Sequence, residues 1–312
     1  MPQSEVMQCM EVWGGNQPAD CGVVMSGLDA WVYCKPFGAS AGGGDVYYVS
    51  SCATGRIARL LVADVSGHGA AVSELAAHLR ATMRRYVNYL DQSRFVGEMN
   101  RQFATHAKLG TFATAVVTTF FAPTNHLSLC NAGHPPPLLY RGATRKWSFL
   151  QQTGSSNDSG NVPLGIEDAT SYDQFDVRLK VGDLVLCYTD CLPESRDRSG
   201  EFLGQEGLLD LVQSIDVSDP TQLIASLLKA IAERGDGTVE GDDVTLLLFR
   251  PNGLAPRPPF HRRLMAPFKL GKAIVQSFLP NGQPIPWPDF RLANLGGAMF
   301  GPLNKFYRRN VV

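Results

Sequence analysis

Ala58-Arg59-Leu60-Leu61-Val62-Ala63-Asp64-Val65-Ser66-Gly67-His68-Gly69 is an apolar run of strand length that delivers a carboxylate at its end, turns through glycine and runs into a helical pattern from Ala70 to Leu90. Such a strand-turn-helix unit aims an acid into a cleft. Taken alone, an aspartate at a strand end is more often a turn former or helix cap than a ligand. The meaning of Asp64 therefore depends on how many other acidic strand ends the chain supplies.

It supplies three more. Ala39-Ser40-Ala41-Gly42-Gly43-Gly44-Asp45 precedes the β-rich Val46-Tyr47-Tyr48-Val49, which pairs with 57–64 across a turn at 53–55. The glycine cluster lacks the lysine and following helix of a phosphate-cradling loop, so it reads as a turn that places Asp45 at the mouth of a strand. Asp183-Leu184-Val185-Leu186-Cys187-Tyr188-Thr189-Asp190 repeats the opening feature, an apolar run ending in aspartate. Finally, Asp242 and Asp243 precede Val244-Thr245-Leu246-Leu247-Leu248-Phe249.

The intervening segments read as scaffold. Residues 1–24 form a lead-in with little periodicity, and Leu28 to Cys34 is a strand ended by Pro36. The helix from Ala70 carries Val72, Leu75, Ala76, Leu79, Met83 and Tyr86 at core-facing spacing, and a second covers 93–108. Short β-rich runs at 112–121, 126–130, 137–140 and 146–150 predict an antiparallel meander, interrupted at Asn131-Ala132-Gly133-His134-Pro135-Pro136-Pro137. His134 reads either as a ligand or as a turn-stabilising residue of a proline-rigid corner. Further strands at 174–179 and 183–188 and helices at 205–214 and 220–234 complete the pattern.

The 312 residues carry a net charge of −1 that hides an asymmetry. Arg250 to Val312 holds ten Lys/Arg and one acid, against 18 basic and 28 acidic residues before it. Body and tail are different objects, with the boundary at Arg250-Pro251-Asn252-Gly253. The seven cysteines are odd in number, include no C-x-x-C pair and follow no leader-like N-terminus, which fits a reduced, cytoplasmic setting. No apolar run approaches the roughly 20 residues that span a bilayer. The tail, 251–312, is read as a surface for a regulatory partner or an anionic membrane, or as a segment whose Trp287, Phe290 and Phe300 pack on the acidic body. Its dispersed basic residues beside an acidic body argue against nucleic acid.

Clustered carboxylates repel, and burying them unpaired costs several kcal/mol each unless cations compensate. Hard divalent ions of octahedral, all-oxygen preference, Mg²⁺ or Mn²⁺, suit such a set. Two of them would ionise a bridging water and clamp phosphoryl oxygens for in-line displacement, the chemistry of phosphate-ester hydrolysis. The alternative, that each acid caps its own turn, is not removed by spacing alone.

Gly43-Gly44-Asp45, Ala63-Asp64-Val65-Ser66-Gly67-His68-Gly69, Asn131-Ala132-Gly133-His134-Pro135, Pro163-Leu164-Gly165, Tyr188-Thr189-Asp190 and Asp242-Asp243-Val244-Thr245 occur in the order found in bacterial PPM-type serine/threonine phosphatases of the SpoIIE/RsbU class, which residues 25–250 resemble. The resemblance implies an α+β fold, a four-layer α-β-β-α sandwich of two antiparallel sheets between helices. It implies two Mn²⁺ or Mg²⁺ held by Asp45, Asp64, Asp190 and the Asp242/Asp243 pair, with Val65 offering its carbonyl. Within the pair, Asp242 is favoured as ligand and Asp243 as support. Asp64 becomes the bridging ligand, and His68 either a general acid or a structural histidine. The implied substrate is a bacterial signalling phosphoprotein of the anti-sigma-factor-antagonist kind; the competing reading is a catalytically weak phosphatase-like scaffold. Three departures stand out: Cys191 where the class usually has glycine, Tyr48 in place of an acid, and no basic residue evident near Asp45.

Overall fold

The computed structural model describes residues 4–6, 12–37, 42–51, 55–67, 70–86, 89, 91–107, 110–151, 161–167, 170–235 and 241–254. His68 and the tail beyond residue 254 lie outside them.

Thirteen described strands form two sheets. One contains β1 (Ser4–Val6), β3 (Ala19–Met25), β4 (Leu28–Lys35), β13 (Val244–Pro251), β12 (Leu184–Tyr188), β9 (Leu138–Arg141) and β10 (Lys146–Phe149), in that spatial order. The other runs β11 (Phe175–Arg178), β8 (His126–Ala132), β7 (Ala113–Phe121), β6 (Ile57–Val65), β5 (Val46–Ser51), β2 (Val12–Gly15). Every pairing is antiparallel except that of β1 with β3.

Period-2 alternation decides which side chains go where. Leu60 and Val62 of β6, Tyr47 and Val49 of β5, Val185 and Cys187 of β12, and Leu247 and Phe249 of β13 meet in one core between the sheets. The opposite faces receive helices. Leu61, Ala63 and Val65 pack under α1 (Ala70–Tyr86) and α2 (Gln92–His106), whereas Leu186, Tyr188, Leu246 and Leu248 pack under α3 (Gly204–Gln213) and α4 (Pro220–Arg234). The result is the α-β-β-α sandwich.

Two features differ from the reading of the sequence. The stretch read as a lead-in contributes strands to both sheets: β2 closes one edge of the six-stranded sheet against β5, and β3 pairs along the length of β4 in the other. The expected meander is split, because β7 and β8 lie in one sheet and β9 and β10 in the other. The crossing is made at the 131–137 corner, where Asn131 Nδ2 donates to the His134 carbonyl and Asn131 Oδ1 accepts from the His134 amide, at 2.8 and 2.7 Å. No described helix is long and apolar enough to cross a membrane.

Leu247 is fully buried in β13, which pairs with both β4 and β12. Leu247→Ala is expected to cost about 2–5 kcal/mol, read as a lower midpoint in urea with the slope unchanged.

Candidate metal centre

The same alternation that fills the inner core carries four of its strands to one end of the sandwich with polar residues on the inner face. Asp45 precedes Tyr47 and Val49 by even steps, Asp64 follows Leu60 and Val62, Thr189 follows Val185 and Cys187, and Asp243 and Thr245 precede Leu247 and Phe249. In the six-stranded sheet the start of β5 lies beside the end of β6, since Val46 pairs with Ala63. In the other, the end of β12 lies beside the start of β13, since Tyr188 pairs with Leu246.

The two ends are tied together by side chains. Asp243 Oδ2 accepts from the amides of Gly44 at 2.5 Å and Asp45 at 3.3 Å, and its Oδ1 accepts from the Phe37 amide at 2.6 Å. Thr189 Oγ1 donates to Asp45 Oδ2 at 2.9 Å while accepting from the Thr245 amide at 3.1 Å. These contacts explain the glycine pair: a Cβ on Gly43 would stand 2.2 Å from Asp243 Oδ2, and one on Gly44 would stand 2.8 Å from the Val65 carbonyl oxygen.

Asp45 is buried, and its carboxyl is held well above the usual range by burial first and by the Asp64 charge next, against the lowering effect of the Thr189 hydrogen bond. Asp64 is pushed up to about 7 by burial, then by Asp190, Asp242 and Asp243. Asp190 is raised by burial, Glu194 and Asp242. Asp242 is exposed, and its Oδ1 accepts from the Asp243 amide at 2.8 Å.

Asp45, Asp64, Asp190, Asp242 and Asp243 thus act on one another electrostatically, although among the described residues no three acids, histidines or cysteines are grouped closely enough to hold an ion as they stand. The donor set is all oxygen and its charges are mutually repulsive, a chemistry that fits a hard divalent cation. The adjacent pair divides: Asp243 is engaged by three backbone amides, while Asp242 faces outward. Val65 brings its carbonyl oxygen against Gly44.

His134 is buried at the 131–137 corner. Its Nδ1 is 2.8 Å from the hydroxyl of Thr114, the residue paired with Asp64 across β6 and β7, and burial lowers its pKa to about 3, so the ring is neutral. Cys191 does not carry a positive φ, which among described non-glycine residues belongs only to Asn125 and Arg145. Its side chain is buried in the cluster under α3 and α4, and the charges of Asp45, Asp242, Asp190 and Asp243 act on its thiol, which therefore lies close to the acidic end. Cys187 faces the inner core instead, so the two cysteines point to opposite sides of their sheet. Tyr48 is buried on the helix-facing side, away from the acids on the inner face. The sequence pattern gives Thr189 no role of its own, although it carries a signal, a hydroxyl at an inner-face position directly before an acidic strand end.

The fold and the acidic end define a PP2C-like sandwich. Residues 54–252 match the family described as Stage II sporulation protein E (SpoIIE), and the chain belongs to that family. It is 23% identical over 197 residues to the phosphoserine phosphatase RsbU of Bacillus subtilis (strain 168), covering 61% of this chain and 55% of RsbU. It is 22% identical over 142 residues to protein IcfG of Synechocystis sp., covering 46% of this chain and 21% of IcfG. The chain therefore spans about half of the first relative and a fifth of the second. Among solved structures, the RsbU and RsbW domains of Rv1364c from Mycobacterium tuberculosis superpose with a TM-score of 0.61 at 24% identity, over 86% of this chain and 81% of that one. The PP2C phosphatase domain of SpoIIE from Bacillus subtilis, solved with a fragment of its regulatory domain, gives 0.59 at 16% identity, over 78% and 64%. These superpositions speak to the fold.

The raised carboxyls give a signed pH dependence. Their native values lie above the unfolded value near 3.9, so without metal the native state holds more protons than the unfolded state between about pH 4 and pH 7, and stability falls as pH rises through that window. Chelator-treated protein is expected to melt roughly 5 °C lower at pH 8 than at pH 5.5, with Mn²⁺ restoring the loss. Identical melting at both pH values would show that the acids do not repel as described.

Proposed function

We propose that this protein is a metal-dependent phosphoprotein phosphatase acting on phosphoserine or phosphothreonine. The observation that carries the reading is the meeting of Asp45 and Asp64 from one sheet with Asp190, Asp242 and Asp243 from the other, at an end where burial and mutual repulsion hold carboxyls above their ordinary range. Membership of the SpoIIE family and similarity to a phosphoserine phosphatase support it.

Asp45, Asp64, Asp190 and Asp242, with the Val65 carbonyl, would hold two Mn²⁺ or Mg²⁺. When bound, such ions supply a deprotonated water near neutral pH and positive charge opposite the phosphoryl oxygens. The chain supplies the geometry. Thr189 fixes the Asp45 carboxylate, Asp243 fixes the backbone from which Asp45 projects, and Asp64, on which the charges of Asp190, Asp242 and Asp243 act, is proposed as the ligand shared by both ions. His68, four residues beyond Asp64, is proposed to give the proton that the leaving serine or threonine oxygen needs.

The substrate is proposed to be a bacterial signalling phosphoprotein of the anti-sigma-factor-antagonist kind. Cys191 is the departure that favours a scaffold without turnover; its backbone does not take the positive φ that would require glycine there.

Hydrolysis of p-nitrophenyl phosphate and of a phosphoserine peptide should require Mn²⁺ or Mg²⁺. Asp64→Asn and Asp190→Asn should each lower kcat/KM by at least about 100-fold with the fold intact by circular dichroism. Turnover that survives chelation, or either variant matching the wild type, would overturn the proposal.

A further inference from the structure

We propose that Asn16, in the β2–β3 connection, is a positioning residue for Asp45; this rests on the metal-dependent reading above. Asn16 and Gly43 are joined twice. The Gly43 amide donates to the Asn16 carbonyl at 2.9 Å, and Asn16 Nδ2 donates to the Gly43 carbonyl at 3.0 Å. The same Nδ2 lies 3.1 Å from Ser73 Oγ and 3.4 Å from the Ser73 carbonyl, in α1. Gly43 is thereby held between Asn16 on one side and Asp243 on the other, and the next two amides, Gly44 and Asp45, are those Asp243 accepts.

A glycine pair gives the backbone freedom as well as room. Two acidic neighbours, Asp64 and Asp243, act to push Asp45 away. A turn of this composition keeps a carboxylate aimed only if its backbone is held from outside. Asn16 does this with one side chain and one carbonyl, and it reaches the turn because β2 pairs with β5, the strand that Asp45 opens. Ligand-orienting partners of this sort typically contribute about 10–100-fold to metal affinity.

The test is Mn²⁺ binding by titration calorimetry, which needs no turnover. Asn16→Ala should weaken binding by about 10-fold or more. The control is Asn252→Ala, which removes a comparable amide, bonded to the Met25 carbonyl and Asp29 Oδ1 at 2.9 and 2.8 Å at the other end of β13. Asn252→Ala should bind Mn²⁺ as the wild type does at a similar loss of melting temperature. Asn16→Ser, too short to reach Gly43, decides the matter if the alanine variant does not fold. Folded Asn16 variants that bind within about twofold of wild type, or an Asn252→Ala that loses as much affinity, would overturn the assignment alone. A wild type that binds no Mn²⁺ would overturn the metal reading and this assignment with it.

Discussion

The Asp243 carboxylate holds the acidic end of the sandwich together. It stands at the start of β13, in the seven-stranded sheet, and accepts from Phe37, where the chain leaves β4, and from Gly44 and Asp45, where the chain arrives at β5 in the other sheet. A buried carboxylate is tolerated when its oxygens are satisfied, and amide-to-carboxylate bonds are stronger than neutral ones. Asp243 therefore closes the crossover between sheets with the kind of group that the neighbouring acids would otherwise expel. Thr189 and Thr245 add a second tie a few ångströms along, from β12 and β13 to Asp45.

That closure sets a division of labour in a crowded set of negative charges. Asp243 spends its oxygens on backbone and Asp242 points outward from the adjacent position, so the pair supplies one anchor and one outward carboxylate. Asp45 and Asp64 face each other across a buried end, where two charges are held at the cost of raised proton affinity. A divalent cation would offset that repulsion. His134, by contrast, is kept neutral by burial and acts on the corner where the chain changes sheets.

Much of this was legible in the sequence, because it rests on long elements with a clear period. The strands that carry Asp45, Asp64, Asp190 and Asp243, and the four helices, appear close to where periodicity and turn chemistry put them. The first three strands were not legible. β1 has three residues and β2 four, two of them glycine, too few to show alternation, β2 pairs with a strand more than thirty residues away, and the pattern of β3 is interrupted by Gly22. The split of the meander was hidden for a related reason: local pattern reports that a strand exists, not which sheet receives it. A contact between segments far apart in the chain, such as that of Asn16 with Gly43, has no sequence period at all, whereas Thr189 at least keeps the inner-face position of its strand. At Cys191 the backbone does not take the positive φ that would require glycine, which the sequence pattern alone does not report.

One end of this sandwich is proposed to hold divalent cations between carboxylates from both sheets. Anomalous scattering from crystals of the protein grown with Mn²⁺ tests it most directly. Two Mn²⁺ peaks are expected among Asp45, Asp64, Asp190 and Asp242, with Asp243 still bonded to the amides of Gly44 and Asp45. Peaks elsewhere, none at this end, or Asp243 swung off the backbone to coordinate metal would contradict it.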